Sequence, residues 1–236
     1  MPVLWDVESG RRLAVFSSRA NGHNAPVIAV KFSKDGRYVA TGDKEGFVVV
    51  WNRTARTVVS SFKAHSGEAM FIFFIPESNE LVTAGSDGAV RLWDPTSTSE
   101  PLATLLEPSD DSVTALTGSV NGEYIYAALD NMTVKGWTVS SRSLRSTQHF
   151  NDRQINSIAL SPDGDFMAIA EENESILMWS VRESKVAWEA QLDKSAIQLF
   201  FSSDGKQLFS SGGDRWIRKW DSASGRLLKK FGGASE

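Results

Sequence analysis

The sequence has no cysteine, which excludes a disulfide framework and a thiolate metal site. It also lacks any block of basic residues: 25 Lys and Arg stand against 29 Asp and Glu, for a formal charge of −4. That balance argues against nucleic acid as the main partner. No apolar run reaches membrane length, the longest being Ala69 to Ile75, so no membrane partner is expected. The opening residues, Met1-Pro2-Val3-Leu4-Trp5-Asp6, lack the basic stretch and apolar run of a secretory signal. A cytoplasmic location is the expectation, with a nuclear, cytoskeletal or ciliary assembly left open. Helical spacing is missing as well. The apolar runs are short, β-branched or aromatic, and broken by Gly, Asp, Asn or Ser. What the chain has in excess is tryptophan, eight in 236 residues.

Six of these, Trp5, Trp51, Trp93, Trp137, Trp179 and Trp220, are spaced by 46, 42, 44, 42 and 41 residues. Glycine gives the same period independently. Gly36, Gly122, Gly164 and Gly205 each lie 15 residues before their Trp, and only the unit with Ser78 departs. Asp35, Asn121, Asp163 and Asp204 precede these glycines, and Asp-Gly or Asn-Gly supplies the positive φ of a tight hairpin. A fixed period near 43 marks a repeat architecture.

Each repeat reads as four short strands. The unit of Trp93 offers Met70–Ile75, Leu81–Ala84, Ala89–Trp93 and Leu102–Leu106; that of Trp51 offers Val27–Ser33, Tyr38–Thr41, Phe47–Trp51 and Thr57–Phe62. Val113–Thr117, Ile155–Leu160 and Ile197–Phe201 open the other three. Strands this short and apolar on both faces need sheets on both sides, which a ring of four-stranded blades provides.

These residues resemble the WD-repeat family of β-propellers. The resemblance is carried by Trp5-Asp6, Trp93-Asp94 and Trp220-Asp221, with Trp51-Asn52, Trp137-Thr138 and Trp179-Ser180 as variants. Ser161-Pro162-Asp163-Gly164 and its relatives at 33–36 and 202–205 look like that family's first hairpin, and Gly22-His23 and Ala64-His65 like its repeat start. The resemblance covers nearly the whole chain, with the motifs in phase. It implies an all-β fold: a half blade over 1–17 (third and fourth strands), then five blades at about 25–63, 67–107, 111–150, 153–191 and 195–232, in one domain.

The resemblance also implies a buried hydrogen-bonded set of His, Ser or Thr, Asp and Trp. Carried over by position, the set is complete in the second unit as His65, Thr83, Asp87 and Trp93. The first unit has His23, Thr41 and Trp51, with Glu45 in place of Asp. The last has Ser210, Asp214 and Trp220 and no His. Ala127 and Ile169 stand at the hydroxyl position of the other two, which are expected to be the less rigid. His23 and His65 could in principle serve a metal or a general base, but they fit the structural set and no third ligand clusters with them. His149 is read as a surface residue. No phosphate loop, calcium loop or nucleophile elbow is present. No catalytic, metal or cofactor site is expected.

The functional candidates are instead loops on one rim, where blade connections and the turns between second and third strands meet. They present Arg19, Asn24, Lys44, Glu68, Asp152, Arg153, Glu172, Asp214 and Arg215. Ser17–Gly22 is a four-residue insertion relative to the next unit, and insertions in repeats gather on functional loops. Trp216, outside the repeat register beside Arg215, reads as an interface anchor or as packing between blades. Trp188 is the other tryptophan outside that register.

The expected function is a non-enzymatic scaffold for protein–protein interaction in a multi-protein assembly. A ligand-binding or enzymatic propeller using its central channel is the alternative. Against the repeat length, 236 residues make about 5.5 units. The N-terminal half blade lacks its first two strands, so an incomplete or open ring is expected, or one completed by the rest of a longer chain or by a second chain.

Overall fold

The computed structural model describes residues 1–17, 22–97, 100–150 and 153–232. Among the described residues all regular structure is strand. They divide into two compact units, Met1–Val113 and Thr114–Glu236.

The first unit opens with a two-stranded sheet of β1 (Val3–Trp5) and β2 (Arg12–Val15). A four-stranded sheet follows: β3 (Val27–Phe32), β4 (Tyr38–Asp43), β5 (Phe47–Asn52) and β6 (Thr57–Lys63). The next is β7 (Ala69–Phe74), β8 (Leu81–Gly85), β9 (Val90–Trp93) and β10 (Ala103–Leu106). The second unit carries three more. They are β11 (Val113–Gly118) to β14 (Ser143–His149), with β12 (Tyr124–Leu129) and β13 (Thr133–Thr138) between. Then come β15 (Ile155–Leu160), β16 (Phe166–Glu171), β17 (Ser175–Ser180) and β18 (Lys185–Gln191). Last are β19 (Ala196–Phe201), β20 (Gln207–Gly212), β21 (Trp216–Asp221) and β22 (Leu227–Gly232). Each four-stranded sheet is a meander whose strands lie in chain order. The sheets therefore have the expected blade form, five whole and one half.

Local chemistry explains the reversals. In the first hairpin of four sheets a serine hydroxyl accepts the amide that opens the second strand: Tyr38 to Ser33, Tyr124 to Ser119, Phe166 to Ser161 and Gln207 to Ser202, at 2.9 to 3.0 Å. Gly36, Gly122, Gly164 and Gly205 supply the left-handed residue. The remaining sheet has no glycine there, and Glu77 and Asn79 take positive φ instead. The tryptophan itself marks a second irregularity. The ladder shifts at Val50/Trp51, Gly136/Trp137, Met178/Trp179 and Lys219/Trp220, as it does at Leu4/Trp5. Such bulges turn a strand and increase its twist.

Apolar layers sit between consecutive sheets of a unit. Val48, Val50 and Phe62 meet Ile72, Phe74 and Leu81 in the first. In the second, Tyr126 and Phe150 meet Ile158 and Met167, and Ala168 and Met178 meet Leu199 and Trp220. Leu4 and Phe16 cover Val39, Val49 and Trp51, so the two-stranded sheet packs on its neighbour. That cover stops short of β3. Val30 is 60 % exposed, whereas Ile72, Ile158 and Leu199, at the same distance before their tryptophans, are 8 %, 5 % and 6 % exposed. Phe32 is likewise exposed where Phe74 and Leu160 are buried.

Candidate functional site

In the sheet β7–β10 a chain of hydrogen bonds runs through the blade. The Trp93 indole N–H donates to Thr83 Oγ1 at 2.9 Å; Thr83 Oγ1 lies 2.9 Å from His65 Nε2, and His65 Nδ1 lies 2.8 Å from Asp87 Oδ1. One proton arrangement satisfies every group: the Thr83 hydroxyl donates to Nε2 and the Nδ1–H donates to the carboxylate. His65 and Thr83 are buried, so each bond replaces one that water would otherwise make. Burial acts to raise the Asp87 carboxyl. The hydrogen bond from His65, with the Ser66 and Ala89 amides, outweighs it and holds the carboxyl well below its ordinary range. Arg91 braces the group, donating to Asp87 Oδ2 at 3.2 Å and to the Ala64 carbonyl at 3.0 Å.

The sheet β3–β6 repeats this chain with one change from the sequence expectation. Trp51 donates to Thr41 at 2.9 Å, and Thr41 lies 2.7 Å from His23 Nε2. The carboxylate is Asp43, 2.7 Å from His23 Nδ1, and not a group at the Glu45 position. Asp43 is buried at the end of β4, and its other oxygen accepts the Glu45 and Phe47 amides at 3.0 and 2.9 Å. Glu45 is exposed. The set is thus complete in this sheet too. The corresponding position at the end of β8 is Gly85, where a Cβ would lie 2.5 Å from the His65 ring. One blade leaves that space to the imidazole and the other fills it with the carboxylate.

The sheet β19–β22 keeps the Trp220 to Ser210 bond at 3.0 Å. Asp214 is not bonded to a histidine there but to Arg218, two residues before Trp220 in the position of Arg91. The Arg218 side chain is 3 % exposed and also donates to Asp193 at 3.2 Å. The Arg218 hydrogen bond is the main cause that lowers the Asp214 carboxyl. In β15–β18 the buried Glu171 accepts from the Ser175 hydroxyl at 2.8 Å and lies 3.6 Å from Arg153. In β11–β14 the Tyr126 ring occupies the space over Gly136, where a Cβ would come within 2.5 Å of it. Its phenol accepts from Arg145 at 2.6 Å, and burial pushes its ionisation upward. His149 is exposed and pairs with Thr133 at 3.0 Å.

These sets anchor the turns and loops at one end of the sheets. In the first unit Asn24 and Lys44 are exposed, Glu68 is half-buried, and Lys44 lies 3.9 Å from Glu68. In the second, Arg153, Glu172 and Arg215 are exposed and Trp216 is half-buried. Arg19, Asp152 and most of the 17–22 insertion lie outside the described residues. Trp188, the other tryptophan off the repeat register, donates to the Ser222 carbonyl at 2.8 Å and packs against the next sheet. Sequence reasoning missed Asp43, Arg218 and Asp193, and also Arg91, Glu171, Tyr126 and Arg145. The visible signal was Arg at the same offset in two units.

At the third position of the turn between second and third strands, five residues share a left-handed conformation: Gly46, Gly88, Met132, Glu174 and Arg215. At Gly46 and Gly88 a Cβ would meet the carbonyls of His65 and Asp111 at 2.2 and 2.5 Å, so glycine is required. The other three carry side chains at the cost of an unfavourable backbone, a kind of strain that gathers at functional loops.

Comparison with known proteins gives one family, described as WD domain, G-beta repeat (WD40). It matches residues 11–52, 56–94, 141–180 and 191–221, well over half of the chain. The chain is 26 % identical over 228 residues to periodic tryptophan protein 2 of Arabidopsis thaliana, covering 96 % of this chain and 25 % of that protein. It is 26 % identical over 217 residues to the Dictyostelium discoideum homolog, covering 90 % of this chain and 23 % of the other. With a guanine nucleotide-binding protein subunit beta of Nicotiana tabacum it shares 27 % over 195 residues, covering 78 % and 52 %. The chain thus spans from about a quarter to about half of these relatives' length.

Proposed function

Because this chain belongs to the WD40 repeat family, we propose that it is a non-enzymatic scaffold, binding partner proteins in a multi-protein assembly through its rim loops. The observation that carries this reading is the combination of locked turns and exposed side chains. The Asp43 and Asp87 sets fasten the turns to the sheets, while Lys44 stands exposed on one of them. In the second unit Arg153 and Arg215 stand exposed on its connections and turns. Pre-ordered loops reduce the ordering cost that a partner's binding must offset. A cytoplasmic location is part of the same reading, and imaging of the tagged chain tests it.

Affinity capture from the native source, followed by mass spectrometry, is the test. A captured partner should be lost or weakened on combining Arg153→Glu with Arg215→Glu. Retention of every partner by that variant, or robust turnover by the purified chain, would count against the scaffold.

A second reading concerns β1, which pairs only with β2 among the described strands. Val30 and Phe32 are uncovered beside it, with Val3 and Trp5 exposed. Two further strands, from a longer polypeptide or from a second chain, would pair with β1 and bury this face. Light scattering separates these sources. A stable dimer points to a second chain, and a protease-resistant monomer in which the β1 amides exchange slowly would contradict both.

A further inference from the structure

Resting on the scaffold reading, we propose that Arg218 is an exchangeable carboxylate site. Asp193 of the same chain fills it in the free protein, and a Glu or Asp side chain of a partner protein fills it in the complex. The two carboxylates on Arg218 differ in kind. Asp214 is 12 % exposed and caps its own turn by accepting the Trp216 amide at 3.1 Å, so it is a permanent counter-ion. Asp193 lies on the connection between β18 and β19 with its side chain 78 % exposed, 3.2 Å from Arg218 and 3.6 Å from Lys230. Most of its surface is in water, and an ion pair of that exposure is weak.

The cationic side of the site is pre-organised. The Arg218 side chain is 3 % exposed, and its guanidinium is held by Asp214. Little rotamer entropy remains to be lost when a second carboxylate replaces the first. The exchange trades like for like: the partner's carboxylate takes the two cations, and Asp193 moves fully into water. The Trp216 ring, 6.0 Å from the Lys230 ammonium, offers a flat apolar surface beside the charge. Arg91 shows why this is particular to the last sheet. There the same arginine meets the buried Ala64 carbonyl and Asp87, whose side chain is 6 % exposed, and no exposed carboxylate takes part. In the last sheet Leu192 stands where the histidine would be, and its neighbour Asp193 turns outward.

The test titrates the full chain with fluorescein-labelled hexaglutamate and follows anisotropy at low and at physiological salt. Asp193→Asn, which removes the internal competitor, should tighten binding by about two- to fivefold. Lys230→Gln should weaken it by a comparable factor of about two to five. Glu189→Gln, the same charge change on exposed β18, should leave it unaltered, and thermal melts should show all three variants folded. No saturable binding, or equal effects of Asp193→Asn and Glu189→Gln, would overturn the site. Captured partners indifferent to Asp193→Asn and Lys230→Gln would overturn it too, while leaving the scaffold reading intact. Capture of no partner at all would count against the scaffold reading, and the hexaglutamate titration would still decide the site.

Discussion

In the first unit both four-stranded sheets tie their tryptophan through a threonine to a histidine and an aspartate. Among the described residues of the second unit no sheet does. One of its sheets substitutes an arginine, one a serine-bound glutamate, and one a tyrosine laid over a glycine. The strands and ladders are nevertheless alike in both. The polar chain is therefore one of several ways to satisfy the groups at that end of a blade. What changes is the turn it supports. The first unit has glycine at the left-handed position, pressed by a neighbouring carbonyl, whereas the second displays Met132, Glu174 and Arg215. Tight closure and side-chain display are alternatives at one backbone position.

The largest effect should separate the units directly. Thr83→Val leaves the His65 ring nitrogen and the Trp93 N–H buried without a partner, and should cost about 3 kcal/mol in urea denaturation. Ser210→Ala in the last sheet strands only the Trp220 N–H and should cost about 1–2 kcal/mol. Equal losses would break the contrast.

The next effect concerns which carboxylate completes the first set. Asp43→Asn should cost about 2 kcal/mol by removing a charge-assisted hydrogen bond, while Glu45→Gln stays within about 0.5 kcal/mol of zero. The reverse order would restore the assignment read from spacing.

A pH series sharpens the same point. The Asp87 carboxyl is held low in the folded chain, so its contribution is present above the ordinary aspartate range and is lost as pH falls toward the depressed value. Wild-type melting temperatures should therefore fall on acidification below about pH 4. Asp87→Asn, destabilised at neutral pH, should fall less steeply, so that the gap narrows. A gap that widens in acid would contradict the assignment.

The smallest effect is a gain. Glu174→Gly relieves the left-handed strain and should stabilise the chain by about 0.5–1 kcal/mol, measured against the looser unfolded chain that glycine brings. Gly46→Ala, by contrast, drives a Cβ into the His65 carbonyl and should destabilise it.

The strands were legible in the sequence, to within a residue or two at their ends, because Asp-Gly turns and short β-branched or aromatic runs act locally, whereas the bulges at the tryptophans were not read from it. The Ser210, Thr83 and Thr41 hydroxyls were legible through the family resemblance, which places each within reach of an indole N–H two residues along the neighbouring strand. Asp43 was not, because an aspartate two residues earlier reaches the same imidazole from the strand end, and spacing alone does not encode reach. Arg218 was missed for a related reason: a long guanidinium replaces a histidine that sits on a different loop. The family match likewise leaves out residues 95–140, the stretch that holds Ala127 and Gly136.

One exposed side chain makes the chain its own reporter. Trp51, Trp93, Trp137 and Trp220 are at most 4 % exposed, whereas Trp5 on β1 is 56 % exposed. Its emission should lie to the red of theirs and be readily quenched by acrylamide. Any strand that settles along β1 would dim that quenching and shift the emission to the blue, so the completion of the half blade can be watched in unlabelled protein.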